Sequence, residues 1–317
     1  MFRVGNDLVP LIAKISVFDR RARWNAFLGA WVTAGWLVSA PVWAETLIAD
    51  DFEYFPTNSG VHVLSPPVGT GKPLDHVWDN VVYWHSSDAI QIICDGTAAT
   101  GNCFFAEHFL PGRQGASELR DHANQEPTTW TSPSEELWVR HYVRLPKGWE
   151  WPALYGGIKF GRLRTVDSCQ SGRPCIESYW GPFHGDPTRI RWTYAYTADG
   201  TTWCCQNNLL VGSLPGEFAV DRWYCLELHV RQNTRVNPAN GLMEIYVDGK
   251  LVASNPSADT RGASGPGTFA WTMVNISDNF VGAEGGAAAT NTTPAIHFDG
   301  VVFSTARSGC IPINQSP

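Results

Sequence analysis

Charge is scarce in this chain, and so is methionine. Charged residues make up 17% of the 317 residues, below the roughly 25% usual in soluble domains. There are 3 methionines, and helix formers thin out after the N-terminal region, which argues against a helical bundle. Positive charge of the kind a polyanionic duplex needs is missing as well. Lys and Arg number 23 against 30 Asp and Glu, a formal net charge of −7. That excludes a generic nucleic-acid binder, which presents a net basic face. After residue 45 no apolar run approaches the roughly 20 residues of a membrane-spanning helix, so no membrane partner is expected. The cysteines include no Cys-x-x-Cys pair, which argues against zinc. No phosphate loop, Ser-His-Asp motif or nucleotide fingerprint occurs.

What is abundant points to turns and aromatic-rich strands: Gly 30, Pro 21, Trp 15 and Phe 15, with 44% hydrophobic residues, enough for a core. Arg20, Arg21 and Arg23 precede an apolar stretch from Ala26 to Ala40 and then Pro41-Val42-Trp43-Ala44. A basic region, an apolar region and a small-residue cleavage site read as a signal peptide over 1–44, cleaved after Ala44; a short N-terminal anchor is the alternative, against which the apolar run is short for a span. A secreted or periplasmic protein is expected, with residues 45–317 as a single domain carrying 18 basic and 28 acidic side chains, net −10. All eight cysteines lie in that domain, and an even count in an exported chain reads as disulfides. The local pairs Cys94–Cys103 and Cys169–Cys175 would staple two loops, and Cys204 or Cys205 could reach Cys225 and Cys310.

Hydrophobic alternation with period two recurs along the domain. Glu136 to Leu145 sets Trp138, Arg140, Tyr142 and Arg144 against Val139, His141 and Val143. Arg189 to Thr197 sets Ile190, Trp192, Tyr194 and Tyr196 against Arg189, Arg191 and Thr193. Trp223 to Gln232 alternates likewise, and Leu242 to Val247 runs into Asp248-Gly249, a hairpin signal, returning as Lys250 to Ala253. Asp50 to Tyr54 opens the domain, Ile296 to Phe303 nearly closes it, and these first and last strands adjoin in sandwiches of this kind. Ala253–Gly267 and Gly282–Thr293 read as surface loops. The pattern predicts an all-β fold, a sandwich of two antiparallel sheets.

Three blocks carry a resemblance. Asp221-Arg222-Trp223-Tyr224-Cys225-Leu226-Glu227-Leu228-His229-Val230-Arg231, followed by Met243-Glu244-Ile245-Tyr246-Val247-Asp248-Gly249, is similar to the late strands of concanavalin A-like jelly rolls. Gly156-Gly157-Ile158-Lys159-Phe160-Gly161-Arg162-Leu163 resembles the Gly-Gly-Lys-x-x-Gly-Leu stretch of the family 14 polysaccharide lyases, which act on alginate and related polyuronates. Tyr194-Ala195-Tyr196 resembles that family's Tyr-x-Tyr strand. The family's Ser-x-Arg has Ser178-Tyr179-Trp180 as its nearest counterpart, without arginine; Arg189 or Arg191 could substitute, yet both alternate to the strand face opposite Tyr194 and Tyr196. The resemblance implies a concanavalin A-like β-jelly-roll and a lyase needing no cofactor, acting on an anionic polysaccharide such as alginate or glucuronan by β-elimination. Lys159, Tyr194 and Tyr196 are its candidate catalytic residues. Tyrosine and lysine suit proton transfer from C5 and to the leaving oxygen, while a cation offsets the carboxylate charge.

Residues 140–191 hold nine basic and four acidic side chains inside the acidic domain, which suits an anionic polymer. Arg120, Arg140, Tyr142, Trp180, Trp192, Arg191, Glu227 and His229 are candidate substrate contacts. Arg120 stands in Ser117-Glu118-Leu119-Arg120, which is similar to the Arg-x-Glu-Leu-Arg strand of another jelly-roll alginate lyase family. Asp50, Glu53 and Asp299 are candidates for a structural calcium through oxygen ligands; solvated acids are the alternative. A monomer is expected. Two other functions stay open: a non-catalytic carbohydrate-binding module, in which Trp180, Trp192, Trp203 and Tyr196 stack on sugars, and a glycoside hydrolase. The Glu-x-Asp-x-x-Glu strand that would serve a hydrolase of this fold is absent from the sequence.

Overall fold

A computed structural model describes residues 46–53, 60–63, 78, 80–83, 90–108, 115–122, 133–149, 159–165, 175–183, 186–197, 203–234, 240–260, 270–276, 279–280 and 295–313. The expected leader, Cys169 and the expected loop Gly282–Thr293 lie outside these residues. Strands run in chain order as β1 (Thr46–Asp50), β2 (Gly60–Val63), β3 (Asn80–Tyr83), β4 (Ile90–Cys94), β5 (Cys103–His108) and β6 (Gly115–His122). Next come β7 (Glu136–Arg144), β8 (Gly161–Arg164), β9 (Cys175–Phe183), β10 (Asp186–Thr197), β11 (Trp203–Ser213) and β12 (Trp223–Arg231). The last five are β13 (Gly241–Val247), β14 (Lys250–Ala258), β15 (Met273–Ile276), β16 (Asn279–Phe280) and β17 (Ala295–Ser304). No helix occurs among the described residues.

Two antiparallel sheets form the jelly-roll sandwich. The first is ordered β14-β13-β12-β7-β17-β5-β4-β2, with β1 also on β17; the second is ordered β11-β10-β9-β8-β15-β6-β16, with β3 also on β6. The first and last strands thus pair, Asp50 opposite Val301. The hairpin at Asp248-Gly249 has both residues at positive φ, 49° and 78°, the primed turn that matches strand twist. Two expectations are corrected at strand ends. The opening strand starts at Thr46, ahead of the acidic cluster. The chain from Ala253 also stays in β14 up to Ala258, because β13 offers a ladder that far, with Gly241 opposite Ala258. Pro256 is tolerated there because β14 is an edge strand.

The core fills the space between the sheets. Leu137, Val139, Val143, Leu226, Leu228, Ile296, Phe298 and Phe303 of the first sheet meet Leu163, Ile176, Trp180, Ile190, Trp192, Val274 and Ile276 of the second. Burying each such side chain is worth about 1.5–3 kcal/mol. Gly161 has a packing reason: a Cβ there would collide with the indole of Trp180.

The outer face of the first sheet is covered too, which explains why β12 and β17 are buried on both faces. Ala98, Ala99, Phe104, Ala106, Tyr142, Trp223 and Cys225 form a second apolar cluster there, with Cys310 and Ile313 against it. The Cys94–Cys103 disulfide staples the 95–102 loop, as its spacing predicts. Cys225 joins Cys310 directly, where the spacing had left both to Cys204 or Cys205. This bridge ties the segment after β17 down across β12.

Candidate functional site

On the second sheet, β8, β9 and β10 separate into two faces. Leu163, Ile176, Ser178, Trp180, Ile190 and Trp192 point to the core. By register Arg162 lies opposite Tyr179 and Arg164 opposite Glu177, while Thr193 lies opposite Tyr179 on the other side. These five residues and Arg191 therefore share the outer face. Lys159 enters it from the segment before β8, where the Phe160 amide donates to the Trp180 carbonyl at 2.7 Å.

Tyr179 is the centre of this face. The Lys159 ammonium stands 4.5 Å from its ring centroid and the Arg191 guanidinium 5.5 Å. Cation–ring contacts of this kind contribute about 0.5–2 kcal/mol each. Arg191 is 6% exposed, and burial holds its pKa below the ordinary value, with Tyr179 acting in the opposite sense. Beside them Glu177 accepts from Arg164 Nε at 2.8 Å and meets Arg162 Nη1 at 3.4 Å. The row continues by register through Asn275 to Arg120. Two cations around a phenol can hold a carboxylate and move a proton next to it.

The structure brings Lys159 and Arg191 together and sets Arg120 further along the same row. Tyr194 and Tyr196 are described by their backbone, which pairs them with Ser178 and Ile176, the core-facing residues of β9. Trp180 and Trp192 are corrected: both are fully buried. Trp180 Nε1 donates to His141 Nε2 at 2.9 Å, and Trp192 Nε1 donates to Ser178 Oγ. Neither indole can stack on a sugar from solution.

Arg140, Tyr142, Glu227 and His229 are corrected as well, because they lie on the outer face of the other sheet and have structural partners there. Arg140 donates to the carbonyls of Gly300 and Gly309, at 3.2 and 3.1 Å. The Tyr142 hydroxyl donates to the Ile311 carbonyl at 2.8 Å and accepts from the Ile311 amide at 2.7 Å. Glu227 is 1% exposed and pairs with Arg307 at 2.6 Å. His229 stacks on Trp138, with ring centroids 3.9 Å apart, and its nitrogens face Glu244 at 2.9 Å and Glu136 at 2.8 Å.

The calcium candidates each serve a different backbone segment. Asp50 accepts from the Phe52 amide at 2.8 Å and from Trp78 Nε1 at 2.5 Å. Glu53 accepts from the amides of Asn102 and Cys103. Asp299 accepts from the amide and hydroxyl of Thr100, at 2.6 and 3.0 Å, and from the Gly300 amide at 2.6 Å. Burial pushes the Asp299 pKa up to about 8, with these hydrogen bonds pulling the other way. Among the described residues no group of three or more His, Cys, Asp or Glu is placed to hold a metal ion.

Sequence reasoning missed Tyr179, Glu177, Arg162, Arg164 and Thr193. The signal was present: Arg162-x-Arg164, Glu177-x-Tyr179 and Arg191-x-Thr193 are three polar alternations on neighbouring strands.

No family model matches the sequence, and a search of curated proteins finds none similar to it. Solved structures do match. The alginate lyase Aly36B is 12% identical with a TM-score of 0.52, over 81% of this chain and 95% of that one. The endo-β-1,4-glucuronan lyase of the fungus Trichoderma reesei is 11% identical with a TM-score of 0.54, over 76% and 95%. The alginate lyase of family 14 from Aplysia kurodai is 12% identical with a TM-score of 0.52, over 83% and 98%. The chain therefore has the jelly-roll fold that these alginate and glucuronan lyases share.

Proposed function

We propose that this protein is an exported polysaccharide lyase that cleaves a uronate-containing polymer by β-elimination on the outer face of the second sheet. One observation carries the reading: Lys159 and Arg191 converge on the ring of Tyr179, on the fold of enzymes that act on alginate and glucuronan. Aly36B has been solved with an alginate tetrasaccharide, which supports an anionic polysaccharide as the partner. The disulfides support export.

In the reaction C5 of the uronate loses its proton, and the freed pair spreads onto the carboxylate. That pair then forms the C4–C5 double bond as the C4–O bond breaks, and the leaving oxygen keeps the C–O pair and takes up a proton. The atoms balance without a co-reactant. Lys159 and Arg191 offset the negative charge that grows on the carboxylate, the kind of stabilisation that contributes most in such reactions. Tyr179 relays the proton, the role the sequence resemblance gave to Tyr194 and Tyr196.

The test is absorbance of the unsaturated uronate product when the oxidised protein meets alginate, glucuronan and neutral glucans. Growth of absorbance on a polyuronate, abolished by Tyr179→Phe and Lys159→Ala but kept by Tyr196→Phe, supports the reading and its residues. Loss with Tyr196→Phe alone returns the proton relay to Tyr196. A binding module is the second reading, favoured by Ser178-Tyr179-Trp180, which lacks the arginine of the lyase family's Ser-x-Arg. Tight retention on a polymer without any absorbance change would establish it.

A further inference from the structure

A cavity of about 400 Å³ opens between the segment after β11 and the β13–β14 turn, with no wall drawn from β8, β9 or β10. A volume of this order suits a small-molecule site. Asp248 fixes one wall: its Oδ1 accepts from the Cys225 amide at 3.0 Å and its Oδ2 from Arg222 Nη2 at 2.8 Å. The guanidinium is thereby held 4.5 Å from the ring centroid of Tyr224. The Tyr224 hydroxyl is fixed in turn, accepting from the Ala219 amide at 2.7 Å and donating to the Glu217 carbonyl at 3.2 Å.

These walls are accessible. The Arg222 side chain is 54% exposed, and its bond to Asp248 leaves most of its N–H donors unused. Pro215, Glu217 and Lys250 are exposed, and among the described residues neither the Glu217 carboxylate nor the Lys250 ammonium has an ion pair. Two cations and two carboxylates give the cavity no net charge, so an anionic ligand meets two carboxylates and a cationic one meets two cations. A sugar hydroxyl both donates and accepts. Neighbouring hydroxyls on one ring can donate to Glu217 and accept from Arg222 and Lys250, while the C–H face of the ring lies on Pro215. We propose that this cavity is a second, non-catalytic carbohydrate site that takes an uncharged sugar unit, so that the protein also docks on a neutral polysaccharide. The inference does not depend on the lyase reading, because it concerns binding at residues that take no part in that chemistry.

The full chain, with its disulfides formed, would be titrated by calorimetry with cellohexaose, mannohexaose and xylohexaose, at low and at high salt. At least one should bind, with a Kd that changes less than about twofold between the two salts, since screening does not act on an uncharged ligand. Glu217→Gln and Lys250→Met should each weaken that binding about fivefold to tenfold. Gly216→Trp, at a position where an added side chain meets open space, should abolish it by filling the cavity. Any cleavage of a polyuronate should be unchanged in all three variants. Binding of none of the three hexasaccharides would overturn the inference, as would a Kd that salt weakens about tenfold or binding that all three variants leave intact. Binding lost in Lys159→Ala would overturn it as well, by placing the sugar on the second sheet. Cleavage is read separately, as absorbance of the unsaturated product, so each of these results leaves the lyase reading to its own test.

Discussion

The indole of Trp180 on β9 donates to His141 on β7 across the core, 2.9 Å from Nε1 to Nε2, and so joins the two sheets by one buried polar bond. The bond needs a neutral imidazole, because the accepting nitrogen must carry its lone pair. Burial lowers the His141 pKa from 6.5 to about 3. His297, buried beside Arg144, is likewise lowered to about 3.

Acid should therefore loosen the fold. A histidine lowered on folding contributes stability that is full above pH 6.5 and lost as pH falls toward 3, since the unfolded chain takes up the proton. At pH 5 each histidine costs about 2 kcal/mol. Denaturant titrations across pH 4–8 should show this slope, and His141→Gln should be measurably less pH-dependent; an identical slope in the variant would count against the assignment.

Trp180→Phe should destabilise the protein by about 2–4 kcal/mol, since it opens a cavity and leaves the His141 acceptor unpaired. In folded variant the KM on a cleaved polymer should stay as in the wild type. A weaker KM with unchanged stability would place the indole on the substrate instead.

Removing the Cys225–Cys310 bridge should cost more than removing Cys94–Cys103. The pairs are 85 and 9 residues apart in sequence, and loop entropy predicts about 3–5 kcal/mol for the long loop and somewhat under 3 for the short one. Chemical denaturation of the two Cys→Ser double variants gives the order directly.

Arg140→Ala and Tyr142→Phe should each loosen the segment from Gly309 to Ile311, at about 1–2 kcal/mol, and raise its amide exchange. Cleavage rates should not change. A fall in rate without a rise in exchange would restore these residues to the substrate site.

Lys159→Ala should lower kcat/KM by about 10²–10³-fold, the range seen when one charge-stabilising group is removed. Melting temperature should fall by no more than about 1–8 °C, the loss of one cation–ring contact of about 0.5–2 kcal/mol. A normal rate would exclude Lys159 from the chemistry.

The strands were legible because alternation of apolar and polar residues is a local property; Glu136–Arg144 and Trp223–Arg231 fall where the pattern put them. Alternation does not say which polar face meets solvent. Arg140, Tyr142, Glu227 and His229 alternate correctly, yet their face is overlaid by the chain after β17, a contact between positions about 170 residues apart such as Tyr142 and Ile311. Trp180 and Trp192 looked like sugar platforms by residue type, and only strand register reveals that they face inward. Tyr179 was hidden for the complementary reason: it is the unspecified middle position of a motif that only Ser178 matches, while its partners Lys159 and Arg191 come from separate segments.

The disulfide-tethered segment after β17 and the opening strand β1 both lie on the first sheet, one across its outer face and the other along β17. A linker, bead or second domain attached just outside either one would therefore be held on the side away from Tyr179. Such immobilisation should leave the contacts of Lys159 and Arg191 with Tyr179 on the second sheet undisturbed.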